Sequence, residues 1–354
     1  MSDKKKKSIW SKTLLALSML LVLAVIFIPI IDKNFKSTLK PELKNFALED
    51  PEEVTEIFMA TKNSTTSFVK LSLNDKGVWM VNDEFPAEPE KIKMLLNEYL
   101  ARLIVKNPIP NGGIDNVVKS MASNAIKVEI YKGTHKDKVI YVGGNSADEM
   151  GTHMMLENSS RPFVVHIPGF MGYPSAIFNM NPKKWKSLNI FQTSIVDLKS
   201  VSVFYPADAG GSFTIHKEER TLRLEPYIVG DLKDPKALDM ALLKQYAATF
   251  ESLNYESIYE GLAAQLADSV IRVDQPYAVI NLDRVDGTDH ELKIYKKPVT
   301  ADSPQLDNFG NPVNYDLDRF YGVLDGNTSD ILSVQSFVFK NIFKKYGAFY
   351  GEKY

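Results

Sequence analysis

The sequence predicts an α+β protein: an N-terminal transmembrane helix followed by two tandem, pseudo-equivalent modules, each an antiparallel sheet packed under helix. Three observations predict it. A mostly apolar, uncharged run from Leu14 to Ile31 follows a cluster of lysines. Strand-like alternation and helical spacing then succeed one another in the same order twice. The apolar positions of the first helix in each half repeat at a constant offset of 147 residues.

Lys4, Lys5, Lys6, Lys7 and Lys12 precede the apolar run, whose 18 residues give about 27 Å of helix at about 1.5 Å per residue. That length crosses a hydrocarbon core of about 30 Å with slight accommodation. A cleaved signal peptide carries a shorter apolar core and a small-x-small cleavage site. The flank here reads FIPIIDKNFKSTLK, without such a site. The segment therefore reads as a retained anchor. The lysines place the N-terminus in the cytoplasm and the body outside it, which in a bacterium means the periplasm. The expected organisation is a basic cytoplasmic segment (1–12), an inner-membrane helix (13–32), a connector (33–45), module 1 (46–190), module 2 (191–345) and a tail (346–354).

Composition narrows the classes further. The 354 residues include no cysteine, which removes disulfides, thiolate nucleophiles and Cys-ligated zinc. A hydrophobic fraction of 44% is that of a folded chain able to bury a core. Residues 1–44 hold nine lysines and three acids, leaving 33 basic against 41 acidic residues in the body, a formal charge of −8. Such a body offers no electrostatic footprint for nucleic acid.

In the first module EIFMA (56–60), SFVKLSL (67–73) and GVWMV (77–81) read as strands, with NDKG as the hairpin turn between the last two. Pro89 opens a helix over about 89–104, because its missing N–H is not needed in the first turn. Ile92, Leu95, Leu96, Tyr99 and Leu103 form its apolar face. A second helix follows near 113–123, then IKVEIY (126–131) and KVIYVG (138–143). The second module repeats the series with SVSVF (200–204), GSFTIHK (211–217) and TLRLE (221–225). A helix capped by Asp234, ahead of Pro235, places Leu242, Leu243, Tyr246 and Phe250 where the first has Leu95, Leu96, Tyr99 and Leu103. A helical segment near 256–270 and the strands YAVINLD (277–283) and ELKIYKK (291–297) complete the match. Each half then shows an arginine ahead of an aromatic strand, RPFVVHIPG (161–169) and RFYGVLDG (319–326), and a closing helical stretch, near 175–188 and 329–345. The second half has no Trp79; Leu222 or Leu224 stands in its place.

Chemistry-bearing motifs are scarce. His135, His153, His166, His216 and His290 show no H-E-x-x-H spacing and read as surface histidines. No G-x-S-x-G elbow occurs. GGNSADEMG (143–151) lacks the G-K-[ST] of a phosphate loop and carries acids that repel phosphate, so it reads as a turn. The polar stretch 298–316 holds Asp302, Asp307, Asn308, Asn311, Asn314 and Asp316, but not the spacing of a twelve-residue calcium loop; it reads as a surface loop or lid. No metal or cofactor is expected. Arg161, Phe163, Arg319, Tyr321, Asp316 and Asp318 are the candidate ligand or partner surface, being aromatic and charged groups on or beside the two aromatic strands.

The order strand, strand, tryptophan strand, proline-acid turn and helix over 54–103, together with the aromatic strands after Arg161 and Arg319, resembles the bacterial domain-of-unknown-function family numbered 4340. The resemblance spans most of 45–345. A Tyr-Gly-Leu segment of that family has only a loose counterpart here, YEGLAAQL (259–266). The resemblance implies a membrane-anchored envelope protein associated with ABC-type transporter or gliding-type components. It implies no activity, cofactor or binding residue. The leading expectation is a non-catalytic scaffold or accessory subunit of an envelope complex, with an envelope protein as partner. A glycan- or peptide-binding module using the cleft between modules or the 298–316 loop, and a metal-independent hydrolase, are the alternatives.

Overall fold

The computed structural model describes residues 43–62, 68–147, 150–228 and 237–352. The basic segment and the membrane helix expected over 1–32 lie outside the described residues. Among the described residues no helix is long and apolar enough to cross a membrane. The fold is mixed α+β with antiparallel sheets and few helices. The chain divides into two compact units, Met1–Lys186 and Ser187–Tyr354.

Unit 1 contains β1 (Glu56–Thr61), β2 (Phe68–Leu73), β3 (Trp79–Val81), β4 (Phe85–Pro86), α1 (Pro89–Lys93), β5 (Ile104–Pro108), α2 (Asn111–Asn124), β6 (Ile126–Lys132), β7 (His135–Asn145), β8 (Thr152–Leu156) and β9 (Phe163–His166). Its strands form one sheet in the order β4-β3-β2-β1-β6-β7-β8-β9-β5. Register decides which face is core, because side chains alternate with period two. The cross-strand row Val69, Met59, Val128, Ile140, Leu156 is buried throughout. The β2–β3 hairpin turns where NDKG predicts it: Gly77 takes φ +75, and the Asn74 side chain accepts from the Val78 amide at 2.9 Å.

The helix over α1 does not continue as a regular α-helix. It widens into a π-helical segment (Met94–Tyr99) and then tightens into a 3-10 turn (Leu100–Arg102). The wider turn adds about one residue per turn. Leu100 therefore turns fully inward beside Ile92, Leu95 and Leu96, while Tyr99, expected on the core face, is only half-buried.

Unit 2 contains β10 (Asn189–Phe191), β11 (Leu198–Phe204), β12 (Phe213–Lys217), β13 (Leu222–Pro226), α3 (Met240–Ala248), β14 (Leu253–Asn254), β15 (Ser257–Ile258), α4 (Gly261–Val273), β16 (Ala278–Arg284), β17 (Asp289–Pro298), β18 (Tyr315–Leu324), β19 (Leu332–Gln335) and α5 (Ser336–Phe339). The larger sheet runs β13-β12-β11-β16-β17-β18-β19-β15, and β10 pairs with β14. Its inner row is Phe213, Val203, Ile280, Leu292 and Leu324.

Several expectations need correction here. The expected cap Asp234 lies outside the described residues. The helix starts at Met240, and Asp239 caps it by accepting from the Ala241 and Leu242 amides at 3.0 and 2.9 Å. The closing helical stretches are short turns (Pro174–Ile177, Pro182–Lys184) and the single turn of α5 rather than full helices. Arg319 lies inside β18, the sixth strand of an eight-strand order, whereas Arg161 precedes β9, which pairs with the edge strand β5. The two arginines therefore do not mark equivalent strands. The β17–β18 connection, 299–314, is far longer than the β7–β8 connection, 146–151, which shifts the spacing of the two arginines. The expected tail is part of the core: Phe349 packs edge-to-face on Phe213 and Tyr246, with ring centroids 5.1 and 5.4 Å apart. Tyr246 is wholly buried and donates its hydroxyl proton to the Ile342 carbonyl at 2.9 Å. One aromatic cluster thus closes the sheet, α3 and the C-terminal segment together.

Phe349→Ala removes that closure. It is expected to cost about 3–5 kcal/mol, read as a lowered denaturant midpoint with faster amide exchange over 198–226. An unchanged midpoint would show that the terminal turn is not part of the core.

Candidate functional site

The surface expected from sequence divides by burial. Phe163 is 1% exposed and stacks edge-to-face on Phe46 at 6.2 Å within the unit 1 core. It is therefore no part of a surface. Arg161 donates through Nη2 to the Ile109 carbonyl at 2.6 Å, tying the loop before β9 to the end of β5. The other four residues, Asp316, Asp318, Arg319 and Tyr321, share β18. Tyr321 and Asp316 are 3% and 5% exposed, so they too are removed from the surface, and they support what lies above them.

Pleating places Arg319 and Tyr321 on the same face of β18, opposite Gln335 and Ser333 of β19. The Arg319 guanidinium grips Glu256 with both oxygens, through Nε at 2.7 Å and Nη2 at 2.8 Å. Ser333 donates to the same carboxylate at 2.9 Å. The Arg319 fork, with Ser333, holds Glu256 below the usual carboxylate range against the opposing effect of burial. Tyr321 packs edge-to-face on Tyr259 at 5.1 Å. Burial, with Tyr259 and Asp316 nearby, pushes the Tyr321 phenol up to about 12. The face is covered by α4, which sets Ala267, Val270 and Ile271 against Tyr295, Tyr321 and Val323.

Asp316 is the second residue of β18, just after the long connection 299–314. Its carboxylate accepts from Lys297 Nζ at 2.6 Å and from the amides of Asp318 and Arg319 at 2.8 and 3.1 Å. A buried charge pair is tolerated only with such added hydrogen bonds. Above it the connection is built, not loose. Thr300 and Ser303 exchange bonds, and Gln305 donates to both their carbonyls at 2.8 Å. Leu306 bridges to Pro312. At the tip the Asp307 carboxylate accepts from the amides of Phe309 and Asn311, each at 2.8 Å, and Gly310 takes φ +84. The Asn311 and Phe309 bonds hold Asp307 below the usual carboxylate range. Asp307 is thus engaged in closing the hairpin tip. The hairpin presents Phe309 at 90% exposure, with Leu306, Tyr315 and Leu317 also exposed. Between 299 and 318 lie four aspartates and no lysine or arginine.

No family model matches the chain, and no curated protein or solved structure matches it.

The remaining candidates are simpler. His216 pairs with Glu225 and His290 with Asp325, each at 2.9 Å, on exposed surface. Among the described residues no group of three metal-ligating side chains converges. A pocket of about 450 Å³ opens on the outer face of unit 1, between α2 (Val118, Met121, Ala122) and the sheet (Ala60, Tyr141, Met155). Sequence reasoning missed this pocket. Its only signal was a run of small residues in α2 and a Gly-Gly pair in β7, neither of which marks a void by itself. It also missed Glu256, which lies 63 positions from Arg319 with no local pattern linking them.

Because the folded-state pKa of Glu256 is depressed below the ordinary 4.5, its contribution is present above that pH and is lost as pH falls through the depressed value. Glu256→Gln should therefore flatten the acid limb of the unfolding curve below about pH 4.5. Arg319→Ala should cost about 1–2 kcal/mol at pH 7, discounted because solvent reaches the pair. An acid limb identical to the parent would show that the pair contributes nothing.

Proposed function

We propose that this chain is a membrane-tethered, extracytoplasmic accessory subunit. Its body is two tandem copies of one α+β module, and it docks an envelope protein through the acidic hairpin of unit 2. The observation that carries the docking role is Phe309, 90% exposed at the tip of a hairpin locked by Asp307 and founded on the buried Lys297–Asp316 pair. A rigid, exposed aromatic loses little freedom on binding, which is the property of an interface anchor. The aspartates around it select a partner pocket with a basic rim.

The tandem reading is supported strand by strand. The order β3-β2-β1-β6-β7-β8-β9-β5 of unit 1 runs parallel to β13-β12-β11-β16-β17-β18-β19-β15 of unit 2. The inner row Val69, Met59, Val128, Ile140, Leu156 has its counterpart in Phe213, Val203, Ile280, Leu292, Leu324. Leu222, opposite Lys217, stands where Trp79 stands opposite Leu73. The β7–β8 connection covers 146–151 and the β17–β18 connection 299–314, so the docking hairpin is an elaboration of one copy. The tether rests on the lysine cluster and the apolar run 14–31. An ABC-type transporter component is the partner class that the resemblance to family 4340 implies.

Phe309→p-benzoylphenylalanine, irradiated in native membranes, tests the reading. One discrete heterologous adduct is expected, its partner peptide bearing basic residues. Phe309→Ala should reduce co-purification of that partner by at least about tenfold. Asp307→Ala, which frees the tip while keeping Phe309, should reduce it by less. Recovery of monomer alone, or of a mature chain lacking residues 13–32, overturns the proposal.

A further inference from the structure

The pocket of unit 1 has a lining that the core does not require. Cross-strand neighbours Ala60, Lys127, Tyr141 and Met155 form a row on the outer face of the sheet. Helix α2 rests over this face through Met121, which fits against Gly143: a Cβ at Gly143 would come within 2.7 Å of the Met121 side chain. Beyond that single contact α2 offers Val118, Ala122 and Ala125, and space remains. Under the tandem reading, on which this comparison rests, the corresponding face of unit 2 is packed by large side chains: there Tyr295, Tyr321 and Val323 meet Ala267, Val270 and Ile271 of α4.

The volume of about 450 Å³ lies within the range of small-molecule sites. Its walls are aliphatic, with two methionines that adapt to an irregular guest. Polarity is confined to a few groups, Thr61, Lys62, Lys127 and Tyr141. Lys127 is already engaged by Glu129 at 2.7 Å. Lys62, exposed just beyond the end of β1, is the second cation on this margin. An apolar chamber with a small cationic and hydroxyl-bearing margin matches one chemistry: a hydrocarbon chain ending in an anionic group.

We propose that this pocket binds the acyl chain of an anionic amphiphile, with the chain against Met121, Ala122 and Met155 and the anion at Lys62. The fatty-acid carboxylate and the phospholipid phosphate share that chemistry. They are separated by the test.

The full-length chain in membrane vesicles is irradiated with a diazirine-bearing palmitic acid, or separately with a diazirine-bearing phosphatidylglycerol, and adducts are mapped by peptide sequencing. Adducts on 118–125 and 141–155 are expected from one probe or both, and the probe that labels more strongly identifies the source. Ala122→Trp, at an exposed position where a large side chain fills the chamber without entering the core, should reduce labelling of these segments by tenfold or more. Its thermal unfolding should stay unchanged. Lys62→Glu should reduce labelling several-fold, while a neutral diazirine monoacylglycerol should label weakly. Labelling confined to 13–32, labelling indifferent to Ala122→Trp, or equal labelling by the neutral probe overturns the proposal. None of these readouts depends on the partner captured at Phe309, so the two readings fail separately.

Discussion

The constraint on which the structure depends is the period-two register of its antiparallel ladders. Once Ile57 faces Leu71 and Ile130, every alternate residue of β1, β2 and β6 is committed to the core. The same holds where Val201 faces Ile215 and Leu282. A slip of one position would expose the whole apolar set. The register therefore fixes the outer face as firmly as the inner one, although nothing apolar demands it. The features available for function follow from that second face: the charged and aromatic positions of β18 in unit 2, and the hollow beneath α2 in unit 1.

Unit 2 uses its outer face to build a foundation. Lys297 and Asp316 form a buried pair whose remaining valences are filled by Thr300 and two backbone amides. Breaking such a pair strands a charge, at a cost of several kcal/mol, so the two strands leave the sheet at a defined point and angle. Arg319 and Glu256 clamp the next layer, joining β18 to the segment before β15. Rigidity at the base is transmitted to the tip by short polar contacts, ending at Asp307. A loop that merely covered the sheet would not need this chain of bonds. The proposed docking of Phe309 in one geometry would use it.

Much of the fold could be read from the residues. Alternation located β1, β2, β3, β6, β7 and β11–β13, because long half-buried strands write their period plainly. The offset of 147 residues picked out Leu96 and Leu243, and Leu103 and Phe250, all of which are buried. β10, β14 and β15, of two or three residues each, went unseen; β3 is as short but showed through the longer run GVWMV that contains it. The π-helical turn escaped because it shifts phase without changing composition. The site was half legible. Four of its residues were named from β18, yet Asp316 and Tyr321 act from beneath the surface and not on it. Glu256 and the pocket depend on contacts between distant segments, which alternation does not encode.

Under the proposed function, a membrane tether would change what the docking hairpin must achieve. Four exposed apolar side chains on one loop are a small epitope, and free in solution such an epitope binds weakly. Anchoring both proteins in one bilayer makes the encounter effectively intramolecular, with local concentrations on the order of millimolar. Modest affinity then suffices for occupancy, and the interface need not bury a large hydrophobic surface. The acidic rim serves the same economy. It would add little to affinity in solvent-exposed contacts, but it would reject partners of like charge and raise the cost of bringing Phe309 to a lipid surface. An exposed phenylalanine near a membrane would otherwise partition into it. In the proposed docking, the aspartates at 302, 307 and 318 would leave the tip available to a protein.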